Sequence, residues 1–124
     1  MDWSMIWIVG GLLAVMVIWK RLTLIPPGTA RNYLRGGALL VDVRSAEEFG
    51  GGHLPNAANL PLEELQDSMP RHLPDKARVL LLHCLSGTRS GIARRQLKSA
   101  GYRNVFNLGS YQRASRIVGG SQGQ

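Results

Sequence analysis

The feature that most constrains this sequence is a short apolar run that ends in the chain's single cysteine. Residues 79–83 are largely apolar, Cys84 follows, and a loop of small residues leads at once into a segment with the composition of a helix. A run that is apolar on both faces is typical of a strand in a parallel sheet covered by helices. We therefore predict that Cys84 lies at the carboxyl end of a strand, where open α/β sheets bind ligands.

The predicted position of Cys84 indicates a reactive thiol. Unpaired backbone N–H groups and the positive end of the helix dipole meet at a helix N-terminus. Such surroundings lower the pKa of a cysteine thiol from about 8.5 into a range of roughly 3.5–7.5, so a thiolate nucleophile is present at neutral pH. The alternative interpretation is a cysteine buried as a small hydrophobic side chain beside an ordinary turn.

The loop after Cys84 has the composition of an anion-binding site. Four residues separate Cys84 from Arg89, and small residues among them let backbone N–H groups point inward around an anion. Gly87 adopts a positive φ at little cost. Arg89 either offers a planar fork of donors to an oxyanion or holds the loop in shape. The candidate substrate-binding residues are Leu85, Ser86, Gly87, Thr88, Arg89 and Ser90.

Four motifs in fixed order resemble those of the rhodanese family of sulfurtransferases, across about residues 29–113. They are LVDVRSAEEF at 40–49, GHLPNAANLP at 52–61, CLSGTR at 84–89 and AGYRNV at 100–105. The resemblance implies that Cys84 attacks a sulfane sulfur, carries it as a persulfide and passes it to a thiophilic acceptor. The C-x4-R spacing resembles the sulfurtransferases, whereas the related dual-specificity phosphatases carry C-x5-R, and Ser90 stands where their arginine would be.

This resemblance predicts a sulfurtransferase that uses a small anionic sulfur donor, thiosulfate or a persulfide, and a thiol or cyanide-like acceptor. Three scattered histidines and one cysteine form no recognisable metal site, and no cofactor is expected. Two other classes stay open. One is a membrane-tethered module that binds an anion or a partner without turnover. The other is a cysteine phosphatase or arsenate reductase, against which the loop spacing argues.

Further residues that match the resemblance are interpreted as structural support. Asp42 and Arg44 end the first predicted strand and are expected to form a charge pair, and His53 is expected to anchor a loop through a hydrogen bond. His83 adjoins the nucleophile, but neighbouring side chains of a strand point to opposite faces, so it is a poor general base. The sequence departs from the family at residues 109–111, where a glycine pair and a tryptophan are common. That departure leaves the packing of the last helix open.

The net charge of +7 comes from twelve arginines and three lysines against eight acidic residues. Such a balance suits nucleic acid, an anionic membrane surface or small anionic substrates. No signature of a nucleic-acid-binding module accompanies it, so no nucleic-acid partner is predicted. The basic side chains after the active loop are expected to be solvated.

Residues 1–24 predict a transmembrane anchor. The uncharged run 3–19 spans roughly 26 Å at about 1.5 Å per residue, the short end of what a bilayer requires. Tryptophans near both ends and the basic pair at 20–21 favour membrane contact through residues 3–21. The basic pair places the domain on the cytoplasmic side of the inner membrane. The alternatives are a cleaved signal peptide, which would make the protein periplasmic, and a buried helix.

The rest of the chain predicts a linker at residues 25–28, an α/β domain at 29–117 and a disordered tail at 118–124. Alternating strands and helices predict a mainly parallel central sheet flanked by helices. Strands are expected at 38–43, 57–60, 79–83 and 105–108, and helices at 29–34, 46–49, 62–68, 90–100 and 112–117.

Overall fold

A four-stranded parallel sheet organises the part of the chain that the computed structural model describes, residues 2–122. Its strands run in the order β2-β1-β3-β4, so the predicted α/β fold with a parallel sheet is confirmed. The central position of β3 places the residue that follows it in the middle of the sheet's carboxyl edge. The strands are β1 (Leu39–Asp42), β2 (Ala58–Asn59), β3 (Leu80–His83) and β4 (Val105–Gly109).

Helices cover both faces of this sheet. Alternate side chains of a strand point to opposite faces, so the leucines of β3 serve both layers. Leu80 and Leu82 pack in the apolar cluster that includes the buried side chains of α4 and α5, and Leu81 packs in the cluster that includes those of α2 and α6. The helices are α1 (Trp3–Leu22), α2 (Pro27–Arg35), α3 (Ala46–Gly50), α4 (Leu65–His72), α5 (Thr88–Ser99) and α6 (Tyr111–Gln122), with a 3₁₀ helix at Leu62–Glu64.

Several element boundaries differ from those predicted. Helix α2 begins at Pro27 rather than at residue 29, because the fixed φ of proline suits the first helical position. The predicted linker, residues 25–28, is held by the domain, since Ile25 is buried and its N–H donates to the Asn107 carbonyl at 3.1 Å. The predicted tail, residues 118–124, begins inside α6, where Val118 is buried, while residues 123–124 lie outside the described residues.

The N-terminal helix does not support the prediction of a transmembrane anchor. Helix α1 runs over Trp3–Leu22, and its large apolar side chains from Trp3 to Trp19 are exposed. Within the described residues, none of the helices combines the length and the apolar character that crossing a membrane requires. The predicted membrane contact through residues 3–21 is therefore not supported.

Candidate active site

Cys84 begins the loop that joins β3 to α5 at the centre of the sheet's carboxyl edge. Its N–H donates to the Gly109 carbonyl at 3.3 Å, which ties the start of the loop to the end of β4. Gly87 precedes the first residue of α5 and has a φ of +95°. A Cβ there would lie 3.2 Å from the Gly109 Cα, so both the backbone conformation and the close approach of β4 favour glycine.

The loop holds the cysteine sulfur from the side of α5. The Gly87 N–H donates to Sγ at 3.0 Å, and the Ser90 Oγ lies 3.5 Å from the same atom. Burial of Cys84 raises the pKa of its thiol, but hydrogen bonds from the Ser90 hydroxyl and from the backbone of Ser90, Gly87 and Ser86 lower it by more. The pKa of Cys84 is therefore below its ordinary value, which favours the thiolate form.

Arg89 is bound to a carboxylate on another helix. Its Nη1 donates to the Glu48 Oε1 at 2.6 Å and its Nη2 to Oε2 at 3.0 Å, so both arms of the guanidinium fork face Glu48. This bidentate pair lowers the pKa of Glu48 to about 2, with smaller contributions from Ser45. The structure thus places Arg89 as a tie between α3 and the cysteine loop, with its positive charge still close enough to Cys84 to interact with it.

The ion pair between Glu48 and Arg89 is not predicted from the sequence, although the sequence does predict the capping box that contains Glu48. Ser45 and Glu48 form a capping box at the start of α3, in which the Ser45 Oγ accepts from the Glu48 N–H at 3.2 Å. The pattern S-x-x-E predicts such a box from the sequence. That Glu48 also reaches Arg89, 41 positions away, follows only from the fold.

Asn107 of β4 is a second residue that the sequence interpretation does not identify. It is buried, and its side-chain amide lies behind the cysteine loop, within hydrogen-bond distance of Ser90, Gly87 and Gly109. A polar residue inside an otherwise buried strand is the one sequence signal that could have drawn attention to it.

The remaining loop positions face outward. Leu85 is 60% exposed, and Ser86 and Thr88 are exposed as well. A cavity of about 470 Å³ adjoins the loop. Its lining includes Ser86, Gly87, Thr88, Ile92, Arg95 and Asn107. The arrangement therefore combines a buried, stabilised sulfur with an open space beside the loop that contains it.

Comparison with known proteins places this geometry in a family. Residues 27–115 match the rhodanese-like domain. The chain belongs to the rhodanese-like domain family.

Individual relatives agree with this assignment. Thiosulfate sulfurtransferase PspE of Escherichia coli is 35% identical over 69 residues, covering 56% of this chain and 66% of that protein. Thiosulfate sulfurtransferase GlpE of Pseudomonas savastanoi is 32% identical over 84 residues, covering 68% of this chain and 77% of that protein. The human single-domain sulfurtransferase TSTD1 is similar in structure, with a TM-score of 0.63, 28% identity and coverage of 76% of this chain and 96% of that one. The chain is homologous to thiosulfate sulfurtransferases.

The similarity does not extend over the full length of every relative. The chain spans 48%, 66% and 55% of three curated relatives from Synechocystis, Escherichia coli and Bacillus subtilis. What is established is therefore the rhodanese-like domain and its homology to sulfurtransferases.

Asp42 and Arg44 of the rhodanese-like domain are bound to each other at the carboxyl end of β1. Both are buried, and the Arg44 Nη2 donates to the Asp42 Oδ2 at 2.8 Å and to the Gly52 carbonyl at 2.8 Å. The hydrogen bond to Asp42 raises the pKa of Arg44, which keeps the guanidinium charged. This is the geometry that a structural charge pair requires, and neither side chain is bonded to Sγ.

The two histidines of interest also make structural contacts. His53 Nδ1 lies 3.0 Å from the Phe49 carbonyl, and its ring stacks on the Phe49 ring with centroids 3.8 Å apart. His83 is buried, its Nε2 lies 3.8 Å from the Asp42 Oδ2, and burial lowers the pKa of its ring. Among the described residues no group of three or more His, Cys, Asp or Glu side chains could hold a metal ion.

Proposed function

We propose that this rhodanese-like domain is a sulfurtransferase that moves a sulfane sulfur from thiosulfate or a persulfide donor to a thiol or cyanide-like acceptor through a Cys84 persulfide. The observation that carries the proposal is the Cys84 sulfur itself. It lies at the centre of the sheet's carboxyl edge, accepts a hydrogen bond from the Gly87 N–H at 3.0 Å, and has a lowered pKa.

In the first step the Cys84 thiolate attacks the outer sulfur of thiosulfate. An S–S bond forms to Sγ, the S–S bond of thiosulfate breaks, and sulfite leaves with the electron pair. In the second step the acceptor, a thiolate or cyanide, attacks the outer sulfur of the persulfide, and the Cys84 thiolate leaves. Neither step needs an external oxidant or reductant. This agrees with a sequence that has one cysteine and therefore no second thiol for a redox pair.

The loop residues supply the surroundings that these steps need. Backbone N–H groups of the loop and the Ser90 hydroxyl stabilise negative charge on the sulfur, in the manner of donors fixed in advance around a developing anion. The residues Leu85 to Ser90 are proposed to surround the donor. Since the fork of Arg89 faces Glu48, we propose that Arg89 assists an anionic donor through its charge and through the loop conformation that the ion pair holds.

The test is turnover of thiosulfate and cyanide to sulfite and thiocyanate by the full chain and by Cys84→Ser. We expect turnover by the wild-type chain and background rates for Cys84→Ser, whose side chain is similar in size. A folded wild-type chain that binds thiosulfate without turnover would instead favour a binding module. Hydrolysis of an aryl phosphate that depends on Cys84 would instead favour a phosphatase.

We also propose that the catalytic domain is located in the cytoplasm. The support is chemical, because a reducing compartment keeps a lone thiol from mispairing and supplies thiols as acceptors. Protease treatment of intact spheroplasts tests it, and the domain should survive digestion from outside. Digestion from outside, or a mature chain that starts near Arg31, would place the domain in the periplasm.

A further inference from the structure

The side-chain amide of Asn107 has an orientation that its neighbours determine. Its Oδ1 lies 2.8 Å from the Gly109 N–H, and a backbone N–H only donates, so the atom it contacts must be the oxygen. Its Nδ2 then faces the Gly87 carbonyl at 3.2 Å, and a carbonyl only accepts. Both ends of the amide are therefore matched to a fixed partner.

This orientation also fixes the proton of Ser90. The Ser90 Oγ lies 2.7 Å from the Asn107 Oδ1 and 3.1 Å from the Gly87 carbonyl, and both of these oxygens only accept. The Ser90 hydroxyl has a single proton, and the shorter contact assigns it to Asn107. The same Oγ lies 3.5 Å from Sγ, so it presents a lone pair to the S–H of a neutral thiol. When the sulfur becomes anionic, rotation of the hydroxyl offers the proton to Sγ instead.

We propose that Asn107 is a positioning residue for sulfur transfer, which acts on Cys84 through Gly87 and Ser90. Those two residues provide the hydrogen-bonding groups at 3.0 and 3.5 Å from Sγ, and Asn107 bonds to both of them from behind the loop. The inference rests on the proposed sulfurtransferase function, but the network itself belongs to the free thiol and is measurable without a sulfur donor.

The Gly87 contact dominates the expected effect. Loss of the Asn107 amide frees the Ser90 proton, which would favour the thiolate. It also removes the only side-chain amide donor to the Gly87 carbonyl among the described residues, which would disfavour the thiolate, and leaves that carbonyl with the Gly91 N–H at 3.1 Å. The Gly87 N–H is 0.5 Å nearer to Sγ than the Ser90 hydroxyl is, and its direction depends on a left-handed backbone to which Asn107 and the Gly91 N–H both bond at the carbonyl. We therefore expect removal of Asn107 to raise the pKa of Cys84.

Charged and titratable groups around the loop are not altered by a neutral substitution at Asn107. Arg89 is bound to Glu48, His83 faces Asp42, and Arg113 donates to backbone carbonyls of β4 and of residue 25. A shift in the titration of Cys84 in Asn107→Ala therefore reports hydrogen bonding. The groups concerned are Arg89 of α5, Glu48 of α3, Glu63 of the 3₁₀ helix, Asp42 of β1, His83 of β3, and Tyr111 and Arg113 of α6.

The experiment measures the rate of alkylation of Cys84 by iodoacetamide against pH in the full chain. For Asn107→Ala we expect the midpoint to rise by about one pH unit, which makes alkylation about tenfold slower below the midpoint. For Asn107→Asp, which has nearly the same shape, we expect a larger rise, because a carboxylate replaces the donor and adds a like charge near the thiolate. Asn104→Ala is the matched control, since Asn104 donates to the Ala77 carbonyl at 2.7 Å and should leave the profile unchanged.

With thiosulfate, Asn107→Ala should lower kcat by a larger factor than it changes KM, because Asn107 acts on Cys84 through its bonds to Gly87 and Ser90. A folded Asn107→Ala whose alkylation profile matches or lies below that of the wild type would overturn the inference. If Asn107→Ala does not fold, the same result in Asn107→Asp overturns it. A wild-type chain that is alkylated normally but never transfers sulfur would contradict the proposed function. In that case the alkylation profiles of the Asn107 variants would still test the role of Asn107.

Discussion

Two neighbouring residues, His83 and Cys84, face opposite sides of the sheet and have surroundings of opposite kind. On the His83 side lie charged groups, with Asp42 bound to Arg44 and the His83 ring against Tyr111. On the Cys84 side the groups that contact Sγ are neutral donors, the Gly87 N–H and the Ser90 hydroxyl. The charged side holds β1 and the loop before α3 together, whereas the neutral side sets the protonation of the thiol. The donors that contact the thiol are thus distinct from the buried Asp42–Arg44 pair that holds the fold.

Disrupting the charged side should give the largest effect on stability. Asp42→Asn leaves the buried Arg44 without its carboxylate, and loss of one partner from a buried pair costs about 3–5 kcal/mol of unfolding free energy. Urea unfolding of the full chain measures it. Asp67→Asn on the exposed surface of α4 is the matched control and should be near neutral. Equal stability of the two variants would show that the pair does not hold the fold.

Replacing Arg89 should have a smaller effect, on turnover. Arg89→Lys keeps the positive charge but loses the bidentate fork that faces Glu48, so the loop is less well held. We expect sulfur transfer from thiosulfate to fall about tenfold, the equivalent of about 1.4 kcal/mol. Arg71→Lys, a change at an exposed position of α4, is the control. Unchanged rate and unchanged affinity for thiosulfate in Arg89→Lys would make Arg89 a surface residue without influence on the site.

The smallest expected effect concerns the pH dependence of the Arg89–Glu48 pair. The pKa of Glu48 in the folded chain is about 2, below the ordinary 4.5 of a glutamate. The ion pair therefore contributes to stability above about pH 4.5, and this contribution is lost as the pH falls toward 2. Glu48→Gln lacks this contribution. The difference in stability between wild type and Glu48→Gln should therefore shrink as pH is lowered from 5 to about 2. A difference that stays constant over this range would contradict the ion pair.

Much of this domain could be predicted from local patterns. The apolar run before Cys84 predicts β3, and small residues with Gly87 predict the tight loop, because both depend on neighbours in the sequence. Asn107 and Glu48 could not be assigned, since their partners lie 17 and 41 positions away and are brought close only by the sheet. Helix α6 extends past its predicted end because Ile117 and Val118 become buried with side chains of α2, a gain that no local pattern contains.

The N-terminal region shows that an uncharged run in the sequence is not enough to predict a membrane span. The run 3–19 forms a helix as its composition suggests, but composition alone does not say whether the helix is long enough for a bilayer.

The central claim, a persulfide on Cys84, is tested most directly by intact mass spectrometry of the full chain in a single turnover with thiosulfate. We predict a gain of one sulfur atom, release of one sulfite per chain, return to the original mass after cyanide, and no gain in Cys84→Ser. A folded wild-type chain that gains no sulfur, or an equal gain in Cys84→Ser, would contradict the account.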